Sequence, residues 1–411
     1  MFRSFFPAPK LFFLSAVVWA VIAFVVWFTV GDEMGAVMNL GANLDTTPGE
    51  GGRAPFLSPD KAWVYQFMVM FAVVFCVIWA FIARNRWYWW SVCGSTALIM
   101  STYFGVQISV WLNTWYGNFY DLIQRALTKP NSVELSEFYG QLATAAYVLV
   151  PYIVFLVLLD FFTSHYLFRW RKAMNGYYMS YWPVLRDVEG AAQRIQEDAD
   201  KFARIMESLG LSFVRSVMTL IAFLPLLWTL SGKITEYPLV GELSQGLVYL
   251  AIISAALGTV VLAAVGFKLP GLEFENQKVE AAYRKELVYG EDDEHRADPE
   301  TARALFDVVR GFYYRYYFHF LYFNVARYAY LQGSAFIPFV ALGPTIVAGV
   351  ITFGVFQQIM NAFNQVENAF QFLANSWTRI VELLSIHKRL RAFEKNIGKA
   401  PVGYEPITGW T

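Results

Sequence analysis

The chain has 411 residues, 57% hydrophobic, 18% aromatic and only 16% charged, where soluble domains carry about 25% charged residues. Lys+Arg and Asp+Glu number 32 each, and this zero net charge offers no basic surface for nucleic acid. The two cysteines, Cys76 and Cys93, sit in apolar runs, which excludes a disulfide framework or metal pair and leaves two small buried side chains.

The apolar residues come in long blocks. LFFLSAVVWAVIAFVVWFTV, Leu11 to Val30, has no charge in twenty residues, about the length that crosses the hydrocarbon as a helix. It is too long for a signal-peptide core and is read as a retained first span. Further spans are expected near Ala62–Ile82, Tyr88–Leu112, Leu142–Phe162, Leu211–Leu230 and Leu247–Phe267. A seventh falls within Phe318–Val350, with limits blurred by Gly333, Pro338, Gly343 and Pro344. The eighth runs from Gly354 to about Leu384. The predicted fold class is therefore an all-α polytopic membrane protein with eight transmembrane helices. Asn113–Leu127, rich in Trp, Tyr and Phe, is expected as an interfacial helix at headgroup level, with a role in gating or substrate entry as the alternative.

Basic residues orient the spans. Arg3 and Lys10, Arg84 and Arg86, Arg169, Arg171 and Lys172, Lys268 to Lys285, and His387 to Arg391 all fall on one side if eight spans are crossed. The opposite loop, Asp32 to Lys61, is acidic. Both termini are then cytoplasmic. Residues 169–207 and 268–312 are expected as cytoplasmic helical segments of a single domain, 1–411. In the second, Glu280 and Arg284 have the i,i+4 spacing of a helix-surface pair, and GEDDE at Gly290–Glu294 marks a turn before a helix near Thr301.

Several chemistries find no residues to carry them. No GxxxxGK[ST] phosphate loop occurs in these 411 residues, so no ATP binding of that kind is expected. His165, His295, His319 and His387 form no metal motif, and no G-x-S-x-G elbow is present. The expectation is a non-enzyme without cofactor or metal.

The last span is unusual. GVFQQIMNAFNQVENAFQFLANSW, Gly354 to Trp377, carries Gln357, Asn361, Asn364, Asn368, Gln371 and Asn375 at alternating spacings of four and three. This 3.5-residue period puts them on one face. Phe356, Phe363, Phe370 and Trp377 recur beside them. Polar side chains in a membrane usually face a bundle interior or a wet cavity. Six amides in register, flanked by Phe363 and Phe370, suit a cavity wall that hydrogen-bonds peptide groups. A helix–helix interface and a partly extramembrane helix are the alternatives. Glu367 lies in the same stretch. An intramembrane acid is a proton-relay candidate; the alternative is a permanently ionised group in wide water, attracting cationic substrate. Gly258, Ala263 and Gly266 would let another helix approach closely.

FRSFFPAPKLFF at the start, NTWYGNFYDLIQ at Asn113, SHYLFRWRKAMNGYYMSYW at Ser164, VEGAAQRIQED at Val188, MTLIAFLP at Met218 and KLPGLEFENQKVEAAYRKELVYGEDD at Lys268 resemble the SbmA/BacA family, most closely its alphaproteobacterial members. The resemblance runs through nearly the whole chain. It implies an inner-membrane importer of diverse peptides and peptide-like antibiotics, including antimicrobial peptides. It also implies a homodimer driven by protons, with a membrane core similar to that of ABC exporters but lacking the nucleotide-binding domain. Peptides, protons and membrane lipids are the implied partners. The family's acids carry over to Glu197, Glu207 and Glu275 as proton-coupling candidates beside Glu367, and to Glu273, Glu280 and Glu286, with Arg284, as gate or structural ion-pair candidates. A lipid or very-long-chain fatty-acid transporter, a non-transporting scaffold, and a membrane half served by a separate ATPase are the rival readings.

Overall fold

A computed structural model describes residues 1–39 and 59–399, apart from residues 189, 235, 239, 240, 242, 244 and 294. Most of the acidic loop expected between the first two spans lies outside the described residues. Backbone groups in lipid have no water to bond, so long apolar runs close their hydrogen bonds within a helix. The described elements are accordingly helical: α1 Pro9–Met38, α2 Pro59–Ile82, α3 Ser95–Thr128, α4 Leu135–Ser180, α5 Ala199–Ser231, α6 Gly246–Gly266, α7 Leu269–Asp292, α8 Pro299–Val347, α9 Phe353–Phe370 and α10 Phe372–Lys395. A π-helical turn, Trp89–Gly94, leads into α3, and another, Arg194–Asp198, leads into α5.

Among the described residues, seven helices are long and apolar enough to cross a membrane: α1, α2, α3 and α5 with their π-turns, α4, α6 and α8. Their flanks expose large apolar side chains such as Leu14, Phe28, Phe81 and Val154. An apolar surface this extensive belongs against lipid rather than water. The molecule is a multi-pass membrane protein.

Three expectations change. Asn113–Leu127 is no separate interfacial helix, because α3 runs through it to Thr128. The seventh span is not interrupted: α8 keeps Pro338 and Pro344 inside one helix of 49 residues. The stretch expected as an eighth span is two helices, α9 and α10, that break at Gln371, and neither is apolar enough to count as a span. The apolar runs expected as the first, second, fourth, fifth and sixth spans each fall on one of the described helices, and α1, α4 and α5 run well beyond them.

The chain divides into two compact units. The first comprises Met1–Ala222, Thr352–Gln358 and Glu382–Thr411. Its core is aromatic. Phe5 stacks on Trp170 with centroids 5.7 Å apart, and Phe6 meets the same ring edge-on at 5.4 Å. The Trp79 indole Nε1 donates to Ser15 Oγ at 3.1 Å, tying α2 to α1. Ile386, Leu390 and Phe393 on α10 are buried in this core. Spaced four and three apart, they form one helical stripe. Above that stripe Arg389 reaches Asp198, with Nε to Oδ2 at 3.0 Å and Nη2 to Oδ1 at 2.7 Å.

The second unit comprises Phe223–Ile351 and Ile359–Val381. Here the small residues of α6 do what their spacing suggests. A Cβ on Gly258 would lie 2.0 Å from Tyr330 Cζ, and one on Gly266 would lie 2.9 Å from Phe323. Both aromatic rings come from α8 and fill the space glycine leaves. A turn precedes α8 as expected, but later than the GEDDE stretch suggests: Gly290 to Asp292 still belong to α7, and the chain turns between Asp293 and Asp298. Ala297 takes a positive φ of 52°, its N–H donates to Glu286 at 3.3 Å, and Asp298 caps α8 by accepting from Thr301 N at 3.2 Å. Hydrogen bonding from the Thr301 side chain, and then from its backbone N–H, holds the Asp298 carboxyl below its ordinary pKa.

Candidate functional site

The polar helix α9 begins in a fully satisfied cap. The first N–H groups of a helix have no partner within it. Here Phe353 N donates to Gln124 Oε1 at 2.8 Å, Gly354 N to Asp121 Oδ1 at 2.8 Å, and Val355 N to Thr352 Oγ1 at 3.3 Å. Two of the three acceptors come from α3. Gly117, Asp121 and Gln124 follow at i, i+4 and i+7, so they share one face. The α3 stretch NTWYGNFYDLIQ thus holds the start of the polar helix. Approach is close enough that a Cβ on Gly354 would lie 2.0 Å from the Gly117 carbonyl oxygen.

Further along, the helix buries its acid. Glu367 is 5% exposed. Its Oε1 accepts from Ser254 Oγ of α6 at 2.7 Å and from the Tyr330 hydroxyl of α8 at 3.1 Å. The Tyr330 oxygen in turn accepts from Gln371 Nε2, and its hydroxyl also lies 3.1 Å from the Ser254 main-chain oxygen. Ser254 and Gln371 are each 3% exposed. Among the described residues no Lys, Arg or His pairs with Glu367. A buried carboxylate without a cation carries its charge on hydrogen bonds alone. All four residues lie in the second unit.

The amides separate. Asn364, Asn368 and Asn375 are exposed, and Gln357 and Asn361 are half-buried. Gln371 leaves the expected lining set, since its side chain is spent on Tyr330 at the helix break. Phe363 also leaves it: it is wholly buried, as are Ile359, Ala362 and Val366 of the same helix. Phe370 is half-buried.

The remaining acids are scattered. Glu207, half-buried on α5, stands close enough to Asp160 of α4 to feel its like charge. Glu197 is exposed and pairs with Lys201 at 2.7 Å. Such pairs contribute little, so Glu197→Gln is expected to change thermal stability by less than about 0.5 kcal/mol, read by a thermal-shift assay. Glu275 is exposed on α7. Glu273 falls in α7, but its side chain lies outside the description. Glu280 accepts from the Tyr313 hydroxyl at 3.0 Å instead of pairing with Arg284, which is exposed. Glu286 holds the turn through Ala297 N and lies 3.7 Å from Arg296. No cluster of metal-binding side chains occurs among the described residues.

Sequence reasoning missed Ser254, Tyr330, Asp121 and Asp198. Ser254 and Gly258 lie four apart on one face of an apolar helix, a hydroxyl beside a gap, and that was the available signal for the first. Asp121 is signalled by its spacing from Gly117 and Gln124. Tyr330 is one of 24 tyrosines, and nothing local singles it out.

The pattern of the SbmA/BacA-like family matches residues 84–398. The chain belongs to that family. The matched range takes in the α3 clasp, the Glu367 cluster and the Asp198–Arg389 pair. Similar curated proteins include the inner membrane ABC transporter ATP-binding protein YddA of Escherichia coli, 24% identical over 315 residues, 72% of this chain and 55% of that one. An uncharacterized ABC transporter ATP-binding protein of Synechocystis is 24% identical over 332 residues, 76% of this chain and 47% of that one. ABC transporter D family member 2, chloroplastic, of Arabidopsis thaliana is 25% identical over 265 residues, 59% of this chain and 35% of that one. The chain spans about half the length, or less, of these relatives.

Proposed function

We propose that this transporter imports diverse peptides, antimicrobial peptides included, across the bacterial inner membrane, as a homodimer driven by the proton gradient. The observation that carries the reading is Glu367, buried without a cation and held by Ser254 and Tyr330, on the helix whose exposed Asn364 and Asn368 offer amides to a substrate. Exposed amides can bond peptide N–H and C=O groups in any sequence, which suits a broad substrate range. Protonation of Glu367 would remove a buried charge and so bias the bundle between two states. Glu207, half-buried on α5, is the second candidate.

The test is uptake of a labelled peptide into proteoliposomes under imposed pH gradients of both signs. Uptake is expected to follow the gradient, and Glu367→Gln is expected to abolish gradient-driven accumulation while leaving the protein folded. Gradient-independent uptake, or full accumulation by both Glu367→Gln and Glu207→Gln, refutes the proton-coupled reading.

A second reading draws on the relatives, whose names include ATP-binding proteins. In it the chain is the membrane half of an ATP-driven transporter served by a separate ATPase. Uptake that needs ATP and ignores the gradient decides for it.

A further inference from the structure

Tyr330 stands at the centre of the buried cluster with one hydrogen to give and two acceptors at the same distance. Glu367 Oε1 and the Ser254 main-chain oxygen each lie 3.1 Å from its hydroxyl oxygen. The oxygen itself accepts from Gln371 Nε2, so the hydroxyl is fixed in place while its hydrogen is free to turn. The ring is seated against α6, where Gly258 leaves the gap that receives it.

We propose that Tyr330 is a two-position hydrogen-bond switch that lets Glu367 be buried in either protonation state. With Glu367 ionised, the hydroxyl hydrogen points to Oε1, and Tyr330 and Ser254 together hold the charge. With Glu367 protonated, that hydrogen turns to the Ser254 carbonyl oxygen. The new carboxyl hydrogen on Oε1 then points back at the Tyr330 oxygen, 3.1 Å away, so this contact keeps a hydrogen bond in both states, and losing such a bond is what makes buried polar groups costly. The step is a proton transfer: an O–H bond of a hydronium breaks, an O–H bond forms on the Glu367 carboxylate, and the site's charge goes from −1 to zero. Among the described residues no other titratable side chain bonds the carboxylate. α6 presents Ser254, α8 presents Tyr330, and Gln371 at the head of α10 presents an amide. Tyr330 is a positioning residue, since the proton resides on Glu367.

The inference rests on Glu367 as the proton site, and its readout does not depend on transport. The carbonyl-stretch infrared band of the protonated Glu367 carboxyl is titrated against pH in reconstituted protein and assigned by its loss in Glu367→Gln. Tyr330→Phe keeps the ring in the Gly258 gap and removes one donor to the ionised form. Its titration midpoint is expected to rise by about one to two pH units, the equivalent of one charge-assisted hydrogen bond. Incorporation of difluorotyrosine at position 330, a stronger donor of the same shape, is expected to move the midpoint the other way. A packing role would not give shifts of opposite sign. Unchanged midpoints in both proteins overturn the proposal, and so do shifts of the same sign. If the band titrates and shifts as expected while the native protein moves no peptide, the switch stands and the transport reading falls.

Discussion

Arg389→Ala is expected to lower stability by about 2–3 kcal/mol, whereas Asp198→Asn with Arg389 intact should cost distinctly less. Asp198 is 3% exposed, at the end of the π-turn that leads into α5, and both its oxygens are taken by the Arg389 guanidinium. Removing the arginine strands a buried carboxylate, which typically costs about 3–5 kcal/mol. The Arg389 side chain is 41% exposed, so water reaches the pair and the expected figure is reduced to about 2–3 kcal/mol. Asparagine at 198 keeps an acceptor and a similar shape without the stranded charge. The same hydrogen bonds raise the Arg389 pKa above its ordinary value, so the guanidinium stays charged at neutral pH. Thermal unfolding in nanodiscs orders the variants. The double replacement Asp198→Asn with Arg389→Ala should recover part of the loss, because the interaction energy between contacting residues is not additive. A single Arg389→Ala as stable as the native protein would mean that Asp198 is solvated after all.

The parts of the fold legible in the sequence are those set by one-dimensional pattern. The apolar blocks within α1, α2, α4 and α6 announce the spans, because lipid demands length and lack of charge, but not how far α1 and α4 run past them. The Gly258 and Gly266 gaps and the turn before α8 were also readable, since small residues and acidic turn residues act locally. The break at Gln371 was not. The amide stripe continues in register through it, and only the bond from Gln371 to Tyr330, 41 residues away in sequence, takes that side chain off the face. Phe363 misleads for the same reason: a heptad spacing places it beside the amides but does not say whether the neighbouring face is packed. Glu367 was found because an acid among apolar residues is conspicuous. Its partners were not, because Ser254 and Tyr330 are ordinary residues until three helices bring them together. In α3, aromatic content suggested an interfacial segment. What organises it is the i, i+4, i+7 row of Gly117, Asp121 and Gln124, whose meaning depends on the helix it meets.

That meeting gives the other large expected effect. Gly354→Ala is expected to cost about 3 kcal/mol, although alanine is by far the better helix former and elsewhere in a helix improves stability by roughly 0.5–1 kcal/mol. The added Cβ would lie 2.0 Å from the Gly117 main-chain oxygen and 2.5 Å from Asp121 Oδ1. A backbone oxygen inside α3 cannot swing aside, so α9 must move off α3 as a whole. Overpacking of this kind costs about 1–3 kcal/mol. The movement also stretches the bonds from Phe353 N to Gln124 and from Gly354 N to Asp121, and losing a helix cap costs about 0.5–2 kcal/mol. Two comparisons separate this from a general intolerance of substitution. The nearest atoms that Gly117→Ala meets are those of the Gln358 side chain, Nε2 at 2.0 Å first, and a flexible side chain can turn away, so its loss should be about 1 kcal/mol. Gly210→Ala, within α5 with nothing inside 4 Å of the new Cβ, should be neutral or slightly stabilising. Thermal unfolding of the three variants should therefore rank them Gly210→Ala, Gly117→Ala, Gly354→Ala in falling stability. If Gly354→Ala ranked with Gly210→Ala, α3 would not be clasping the polar helix at all, and the placement of its amides would need another cause.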